Sequence, residues 1–156
     1  MEGIVAAVCR SEKKGTVKEE IPRGRLLEEF GLEGDAHGGK WHRQVSLLAE
    51  ESIDKMRNLG LELAYGDFAE NITTRDLILH KLPVGTRLKV GGEVLLEVTQ
   101  IGKECHHGCE IFKKVGKCIM PHEGIFARVL KGGEVQAGDE IKVILPEDIK
   151  NSNQMP

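Results

Sequence analysis

Residues 86–99 carry the pattern that most constrains what this chain can fold into. Apolar and polar side chains alternate along Thr86–Val90 and again along Glu93–Thr99, and Gly91-Gly92 separates the two runs. Alternation with a period of two is typical of a strand with one buried face, and a glycine pair between two such runs predicts a tight β-hairpin. We therefore expect a core built largely from antiparallel strands.

Other short segments have the same character. Ile4–Cys9 is an apolar run that predicts a buried strand, with Thr16–Ile21 as its hairpin partner. Further strands are predicted at Val45–Leu48, in a short stretch after the polar turn Gly66–Thr74, at Gly124–Leu130 and at Glu140–Ile144. The chain has 19 glycines in 156 residues, above the usual share of about 7%. Pro22, Gly24, Gly132-Gly133 and Gly138-Asp139 are interpreted as turns or breaks between strands.

Two helices are expected among these strands. Ala49, Ile53 and Met56 lie at helical spacing in Ala49–Leu59, and Gly60 is suited to end that helix. Ile111 and Val115 predict a second short helix that ends near Gly116. The prediction is a mainly β protein with a barrel-like core and two or more short helices. It forms a single domain over residues 1–146, followed by a polar C-terminal tail over 147–156, of which Asn151–Pro156 is expected to be frayed.

Charge and hydropathy narrow the functional classes. The formal net charge is −3, which argues against a nucleic-acid or membrane partner bound by bulk charge. No run approaches the roughly 18 apolar residues of a membrane span, and the N-terminal apolar run lacks the basic segment of a signal peptide. We therefore expect a cytoplasmic protein whose four cysteines are reduced thiols or metal ligands.

Three of the four cysteines fall between residues 103 and 120. Cys105 follows a predicted strand and lies near Lys103 and two histidines, an environment that lowers the pKa of a thiol. Such a thiolate can bind a soft metal or act as a nucleophile, whereas the alternative is an ordinary buried cysteine. Cys105, Cys109, Cys118 and His122 also form a possible tetrahedral zinc site, although the four-residue spacings match no strict zinc motif.

Two polar segments are the other candidate sites. Gly31–Gly39 contains four glycines with Asp35 and His37, and Arg43 follows it closely. Glycine backbone and an arginine fork suit a phosphate or another anion, while the alternative is a solvated loop in which Asp35 serves the turn. In Gly66–Thr74, the side chains of Asp67, Glu70 and Asn71 can perform acid–base chemistry or cap a turn. No nucleotide-binding glycine motif and no serine nucleophile motif is present.

Four segments in this order resemble the MOSC family, the domain found at the C-terminus of molybdenum cofactor sulfurases. The resemblance extends from about residue 3 to residue 144, and the segments that carry it are Gly31–Ile53, Gly66–Thr74, Leu82–Cys105 and Gly124–Ile141. The resemblance implies a mainly β fold around a barrel-like core. It also implies a link to molybdenum cofactor, in which the dithiolene of a phosphorylated pterin holds the metal.

The resemblance assigns roles to particular residues. Relatives that bind the cofactor ligate molybdenum through a cysteine just after the strand that matches Glu93–Thr99, which corresponds to Cys105. A soft thiolate suits a metal already held by sulfur atoms. Arg43, His37 and the glycine-rich loop are the candidates for binding the pterin phosphate. The full set expected to line the cofactor site comprises Asp35, His37, Arg43, Asn71, Lys103 and Cys118.

Three functions follow as hypotheses. In the first, the protein binds molybdenum cofactor or handles sulfur, and Cys105 ligates molybdenum or carries a persulfide from a partner in cofactor biosynthesis or sulfur donation. In the second, it reduces N-hydroxylated compounds at a bound molybdenum centre with electrons from a separate donor. In the third, it is a structural zinc or interaction module. The chain has no pyridoxal-phosphate domain, so it is not expected to be a cysteine desulfurase.

Overall fold

The computed structural model describes residues 1–102 and 120–152. This part of the chain contains short strands and a few short helices. The strands are β1 (Glu2–Arg10), β2 (Glu19–Ile21), β3 (Arg23–Leu27), β4 (Gly31–Leu32), β5 (Val45–Ala49), β6 (Ile72–Arg75), β7 (Arg87–Val90), β8 (Val94–Ile101), β9 (Ile125–Lys131), β10 (Gly133–Gln136) and β11 (Glu140–Ile144). The helices are α1 (Glu50–Arg57), α2 (Met120–Glu123), α3 (Pro146–Ser152) and a 3-10 turn at Leu79–Lys81. None of these helices is long and apolar enough to cross a membrane.

Seven strands close into a β-barrel, which confirms the predicted fold class. Their order around the barrel is β1, β11, β7, β8, β9, β5 and β6, and β6 pairs with β1 to complete the ring. The β5–β6 pair is parallel and the other six pairs are antiparallel. β2 extends the sheet beside β1, and β10, β3 and β4 form a separate three-stranded sheet. Closure leaves the barrel itself without exposed strand edges.

The hairpin predicted from residues 86–99 is confirmed. β7 and β8 pair antiparallel with Val90 opposite Val94, and Gly91 adopts a left-handed φ of 62° in the turn. Leu88 and Leu96 face each other in the core and are fully buried. The apolar and polar residues alternate in the sequence because one face of the hairpin points into the barrel and the other points away from it.

The predicted helix after Val45–Leu48 is also confirmed, with slightly shorter bounds. α1 buries Ile53 and Met56, and Gly60 follows it with a φ of 93° and donates its amide to the Arg57 carbonyl at 2.9 Å. α1 connects the parallel strands β5 and β6, as such a connection requires. Its apolar face packs on the outside of the barrel against Leu48, Phe68 and Phe126.

Three segments differ from the sequence-based expectations. Pro22 lies between β2 and β3, as expected for a break, but Gly24 lies within β3 and pairs with Val135 of β10. A side chain at Gly24 would come within 2.6 Å of Leu32, so the glycine permits close packing within a strand and is no break there. Gly132 lies between β9 and β10, as expected for a turn, whereas Gly133 is already the first residue of β10. The residues expected to form a polar tail begin with α3.

Candidate functional site

Three of the predicted site residues, Lys103, Cys105 and Cys118, lie outside the described residues, as do Cys109 and the predicted helix near Gly116. The structure does describe both flanks of this segment. β8 ends at Ile101, and the amide of Gly102 donates to the carbonyl of Gly124 at 2.7 Å, just before β9. Gly102 and Gly124, which flank the cysteine-rich segment and α2, therefore lie next to each other at the end of the β8–β9 pair.

The glycine-rich loop that follows β4 is built around the buried carboxylate of Asp35. Oδ1 accepts the amide of Ser11 at 3.0 Å, and Oδ2 accepts the amide of His37 at 3.1 Å. The second bond closes a short side-chain turn of the kind aspartate favours. Gly39 is tied back to the Phe30 carbonyl at 2.7 Å. Asp35 thus serves the turn, as one alternative expected, and the turn is packed against the protein.

Beneath this loop, Lys18 forms an ion pair with Asp35 that is closed to solvent. Nζ of Lys18 lies 2.7 Å from Oδ1 of Asp35, and both side chains are 0% exposed. Burial lowers the pKa of Lys18 from its ordinary value. Burial alone would raise the pKa of Asp35, but Lys18 and the two amides outweigh it and hold that pKa below its ordinary value. Nζ also lies 3.1 Å from Nδ1 of His37.

An aromatic and cationic stack continues from this loop towards the end of β8. The indole N–H of Trp41 donates to the carbonyl of His37 at 2.8 Å. The guanidinium carbon of Arg43 lies 4.6 Å from the Trp41 ring centroid and 5.5 Å from that of Phe126. Within the described residues, Nε of Arg43 is buried without a hydrogen-bond partner. Arg43 is therefore oriented by two rings, and part of its donor capacity is unused.

Phe126 and its neighbours join this stack to the flanks of the cysteine-rich segment. Phe126 of β9 is paired with Gln100 of β8 and with Ser46 of β5. The Thr99 hydroxyl donates to the His42 carbonyl and, at 3.2 Å, to the Phe126 carbonyl. Nε2 of His42 lies 2.7 Å from Oε1 of Gln100. Arg43 thus lies near the end of β8, from which Cys105 follows in sequence, and His37 is linked to it through Trp41.

Asn71, the remaining predicted site residue, lies inside the fold and its amide bonds to other parts of the chain. Oδ1 accepts the amide of Ser46 at 3.0 Å and its hydroxyl at 3.2 Å, while Nδ2 donates to the Cys9 carbonyl at 3.1 Å. Asn71 is 0% exposed. These hydrogen bonds connect β1 and β5 at the start of β6, so the Asn71 side chain stabilises the fold. A cofactor contact from Asn71 stays a prediction.

The two carboxylates near Asn71 cap their own turn. Oδ2 of Asp67 accepts the amide of Ala64 at 2.9 Å. Glu70 is fully buried and accepts the amides of Gly66 and Phe68, each at 3.1 Å. Burial raises the pKa of Glu70 to about 7. The geometry matches the capping alternative for both residues, and Glu70 titrates far above an ordinary carboxyl group.

An open cleft of about 810 Å³ lies beside the stack. Its walls include Lys40, Trp41, His42, Thr99 and Arg128. The guanidinium of Arg128 is paired with Glu97 at 3.2 Å. The volume is in the range of small-ligand sites, about 300–1,000 Å³. One face of the candidate site is therefore accessible to a small molecule.

Within residues 1–102 and 120–152 no group of three or more histidine, cysteine or acidic side chains is placed to hold a metal. Of the possible zinc ligands only His122 lies in the described part, where it is exposed. The other three, Cys105, Cys109 and Cys118, lie outside it, so the zinc hypothesis stays a prediction.

Two features of the site were missed by sequence reasoning. Lys18 was placed in a hairpin strand, where nothing distinguishes it from the exposed lysines nearby. The second feature is the pair of rings of Trp41 and Phe126, because the sequence alone does not show that both pack against Arg43. The one available signal was the sequence Trp41-His42-Arg43, since an arginine two residues from a tryptophan can stack on it.

The described residues form a closed, mainly β domain in which a glycine-rich loop and the rings around Arg43 lie close to the β8–β9 pair. The MOSC domain model matches residues 33–142, most of the chain. The chain belongs to the MOSC domain family.

Solved structures support the same fold. The YUAD protein from Bacillus subtilis superposes with a TM-score of 0.78 at 18% identity, over 92% of this chain and 96% of that one. YiiM from Escherichia coli gives 0.65 at 20% identity, over 100% and 79%. YiiM from Geobacillus stearothermophilus gives 0.62 at 16% identity, over 97% and 81%. At these identities the likeness concerns the fold. No curated protein matches the chain by sequence.

Proposed function

We propose that this protein binds molybdenum cofactor or handles sulfur for it, with Cys105 as the metal-ligating or sulfur-carrying thiolate. The observation that carries the proposal is the half-buried guanidinium of Arg43, held between Trp41 and Phe126 with its Nε unpartnered in the described structure. It lies where the cysteine-bearing segment joins the barrel. An arginine that can bind an anion, together with a soft thiolate that follows β8 in sequence, would suit the two ends of a phosphorylated, metal-bearing pterin.

The described residues fit such a group. Arg43 offers planar N–H donors suited to phosphate oxygens, and the loop carrying His37 adds a second polar contact beside it. The open cleft next to Trp41 leaves room for an organic ring system. Cys105 follows Gly102 by three residues, and three residues span at most about 11 Å. When bound, the cofactor would supply a redox-active metal centre, while the chain would bind and orient it.

Cys9 is not suited to the thiolate role. It is 0% exposed in β1, and burial, with help from the charge of Glu70, raises the pKa of its thiol. A protonated, enclosed thiol neither ligates an incoming metal nor attacks a sulfur donor. Of Cys9 and Cys105, only Cys105 is therefore a candidate for the reactive thiolate. Cys9 serves as the matched control.

In the sulfur-handling form of the proposal, Cys105 exchanges sulfur with a partner protein. Its thiolate attacks the outer sulfur of a persulfide on the partner's cysteine. A new S–S bond forms on Cys105, the S–S bond of the partner breaks, and the partner's cysteine leaves as a thiolate. The step conserves oxidation state, so it needs no separate oxidant. Partners of this class are sulfur donors or proteins of cofactor biosynthesis.

The test is elemental and pterin analysis of protein produced with an active molybdenum cofactor pathway. Wild type, Cys105→Ser and Cys9→Ala are compared for molybdenum, pterin and cyanide-releasable sulfur. We expect molybdenum with pterin, or releasable sulfur, in wild type and Cys9→Ala, and neither cargo in Cys105→Ser. Full loading of Cys105→Ser would overturn the proposal. Stoichiometric zinc lost on mutation of Cys109, Cys118 or His122 would instead favour the structural zinc module.

The reductase hypothesis is tested on the same material. Molybdenum-loaded protein is assayed with an N-hydroxylated substrate and a chemical reductant, because the electron donor is expected to be a separate partner. Turnover that disappears in Cys105→Ser would support reductase activity. A loaded protein with no turnover would limit the role to cofactor binding or transfer.

A further inference from the structure

The buried ion pair of Lys18 and Asp35 anchors the glycine-rich loop to the rest of the protein. Nζ and Oδ1 are 2.7 Å apart, and both side chains are 0% exposed. Oδ1 also accepts the amide of Ser11 at 3.0 Å. The carboxylate is therefore held by both ends of the connection between β1 and β2. Removing the ammonium would leave that carboxylate buried without its countercharge, which is strongly unfavourable.

The main chain of His37 links this anchor to the indole of Trp41. Oδ2 of Asp35 accepts the amide of His37 at 3.1 Å, and the carbonyl of His37 accepts the indole N–H of Trp41 at 2.8 Å. The His37 ring has contacts of its own, with Nδ1 3.1 Å from Nζ of Lys18 and 3.8 Å from Oδ2 of Asp35. The link to Trp41 uses only the amide and the carbonyl of His37. Because an indole has a single N–H, this bond fixes the edge of the ring that faces the loop.

Of the rings of Trp41 and Phe126, only that of Trp41 is placed by this loop. Phe126 lies in β9, is 6% exposed and is held by strand pairing with Gln100 and Ser46. Trp41 lies between β4 and β5, outside any strand. The guanidinium carbon of Arg43 is 4.6 Å from the Trp41 ring centroid, and a cation–π contact depends on the cation lying over the face of the ring. A shift of the loop is therefore transmitted to Arg43 through Trp41.

We propose that Lys18 is a positioning residue for Arg43. Its ion pair with Asp35 fixes the loop, and the loop holds the Trp41 indole through the His37 carbonyl. The indole in turn orients the guanidinium towards a bound anion. Lys18 is enclosed and touches no ligand, so it acts only through this series of contacts. The role of Arg43 as an anion donor rests on the proposed function, whereas the coupling of Lys18 to Trp41 does not.

The first test is the solvent exchange of the Trp41 indole proton, observed by ¹H–¹⁵N NMR. Trp41 is the only tryptophan, so the indole signal needs no further assignment. Lys18→Met removes the ammonium at nearly constant length, and Lys14→Met is the control, because Lys14 is an exposed lysine in the same connection. We expect exchange to be about ten-fold faster in Lys18→Met and unchanged in Lys14→Met. Equal indole exchange in folded Lys18→Met and wild type would overturn the proposal.

A second control separates this coupling from a general loss of stability. Gly60 has a left-handed φ of 93° and open space around it, so Gly60→Ala destabilises the fold without a local clash. We expect Gly60→Ala to lower the melting temperature and to leave the indole exchange unchanged. Indole exchange that rises equally in Gly60→Ala and Lys18→Met would overturn the proposal.

Inorganic phosphate is the probe of the anion site, and its binding is followed by NMR titration. We expect about three- to ten-fold weaker binding in Lys18→Met, the range of a lost cation–π contact. Trp41→Phe keeps an aromatic ring but removes the N–H, and it should weaken phosphate binding to a similar extent. This variant tests the series of contacts even if Lys18→Met does not fold. Wild-type affinity in Trp41→Phe, or a wild-type protein that binds no phosphate, would overturn the proposal.

The two changes are not independent if both act on the same series of contacts. We expect the variant that combines Lys18→Met and Trp41→Phe to bind phosphate no more weakly than the weaker of the two single variants. Losses of affinity that multiply in the combined variant would overturn the proposal, because Lys18 would then act on the site by another route.

These results are separable from the proposed function. If indole exchange does not depend on Lys18 but Cys105→Ser still abolishes cargo loading, the positioning role fails and the cofactor proposal stands. If indole exchange and phosphate binding change as expected but wild type takes up no molybdenum or sulfur, the positioning role stands and the cofactor proposal fails.

Discussion

At the scale of single residues, Arg43 is the side chain whose position most directly supports the binding of an anionic ligand. Its guanidinium packs against Trp41 and Phe126 and, within residues 1–102 and 120–152, pairs with no carboxylate, so we expect its charge to attract a bound anion. Trp41 is the only tryptophan of the chain, so its fluorescence reports on this site. A charged hydrogen bond contributes about 1.5–3 kcal/mol, which corresponds to roughly 10–100-fold in affinity.

We therefore expect Arg43→Gln to weaken phosphate or cofactor binding by about 10–100-fold, as measured by Trp41 fluorescence titration. Arg87→Gln is the matched control, because Arg87 is a partly buried arginine paired with Glu97 on the barrel. It should bind as wild type does. Equal affinity of Arg43→Gln and wild type would contradict the anion role of Arg43.

Glu70 predicts a specific pH dependence of stability. Its pKa is raised to about 7 by burial, so the folded state keeps the proton up to neutral pH. The unfolded state releases it near 4.5, and stability therefore falls as pH rises from about 4.5 to about 7. The protonated Glu70 contributes about 3 kcal/mol to the free energy of unfolding at low pH, and this contribution is lost by pH 8.

Glu70→Gln cannot ionise, so it should lack this component. We expect the difference in unfolding free energy between the variant and wild type to shift by about 3 kcal/mol in favour of the variant between pH 4.5 and pH 8. Urea unfolding at several pH values measures it. Parallel pH curves for the two proteins would show that Glu70 titrates normally.

Sequence reasoning identified the polar residues of the loop but not their arrangement. Asp35, His37 and Arg43 were recognised because glycine, acid and base cluster in a short segment. The burial of Lys18 was not predicted, because a charged residue near a strand is expected to be exposed. Only the tertiary structure shows that an ion pair with Asp35 offsets the cost of burying its charge. Asn71 was recognised by type, but its contacts with Ser46 and Cys9 cross strands distant in sequence.

At the scale of elements, the turn before β6 positions Lys18. The amide of Lys18 donates to the carbonyl of Gly66 at 2.8 Å, and Gly66 has a φ of 89°. A methyl group there would overlap the Lys18 carbonyl. Gly60 has a similar φ of 93° but open space around it. Alanine at Gly60 therefore measures the free-energy cost of the left-handed backbone alone. Alanine at Gly66 measures that cost together with the cost of a steric clash.

We expect Gly60→Ala to destabilise the protein by about 1–2 kcal/mol, the cost of a left-handed alanine. Gly66→Ala should cost a further 1–3 kcal/mol or more, because its methyl group would overlap the Lys18 carbonyl. Thermal or urea unfolding compares the two. Equal destabilisation would mean that the Gly66 turn relaxes without displacing Lys18.

The elements that sequence predicted best are those with local patterns. The β7–β8 hairpin and α1 were found because period-two and helical spacings report directly on the buried face. β3 and β10 were missed because their glycines were interpreted as turns. In the structure those glycines allow a neighbouring strand or side chain to approach closely, which depends on partners more than 100 residues apart, as for Gly24 and Val135.

At the scale of the whole molecule, the barrel closes before the C-terminal segment begins. β11 pairs with both β1 and β7, and it ends at Ile144. Leu145 still packs against the core, whereas Glu147 and Asp148 are exposed. The predicted domain boundary at residue 146 thus falls just after the last barrel strand.

A chain that ends at residue 146 should therefore fold and keep the site. We expect a loss of no more than about 1 kcal/mol in unfolding free energy, since few apolar groups are removed. Phosphate binding monitored by Trp41 should be unchanged. Failure of the shortened chain to fold would show that α3 is part of the domain.

The most direct test of the account is the molybdenum-to-protein and pterin-to-protein ratio of the purified protein after production with the cofactor pathway. The account predicts near-stoichiometric cofactor, or an equivalent of releasable sulfur, in wild type and in Cys9→Ala. It predicts the loss of that cargo in Cys105→Ser, with the barrel still folded. Cargo retained in folded Cys105→Ser, or absent from all three proteins, would contradict it.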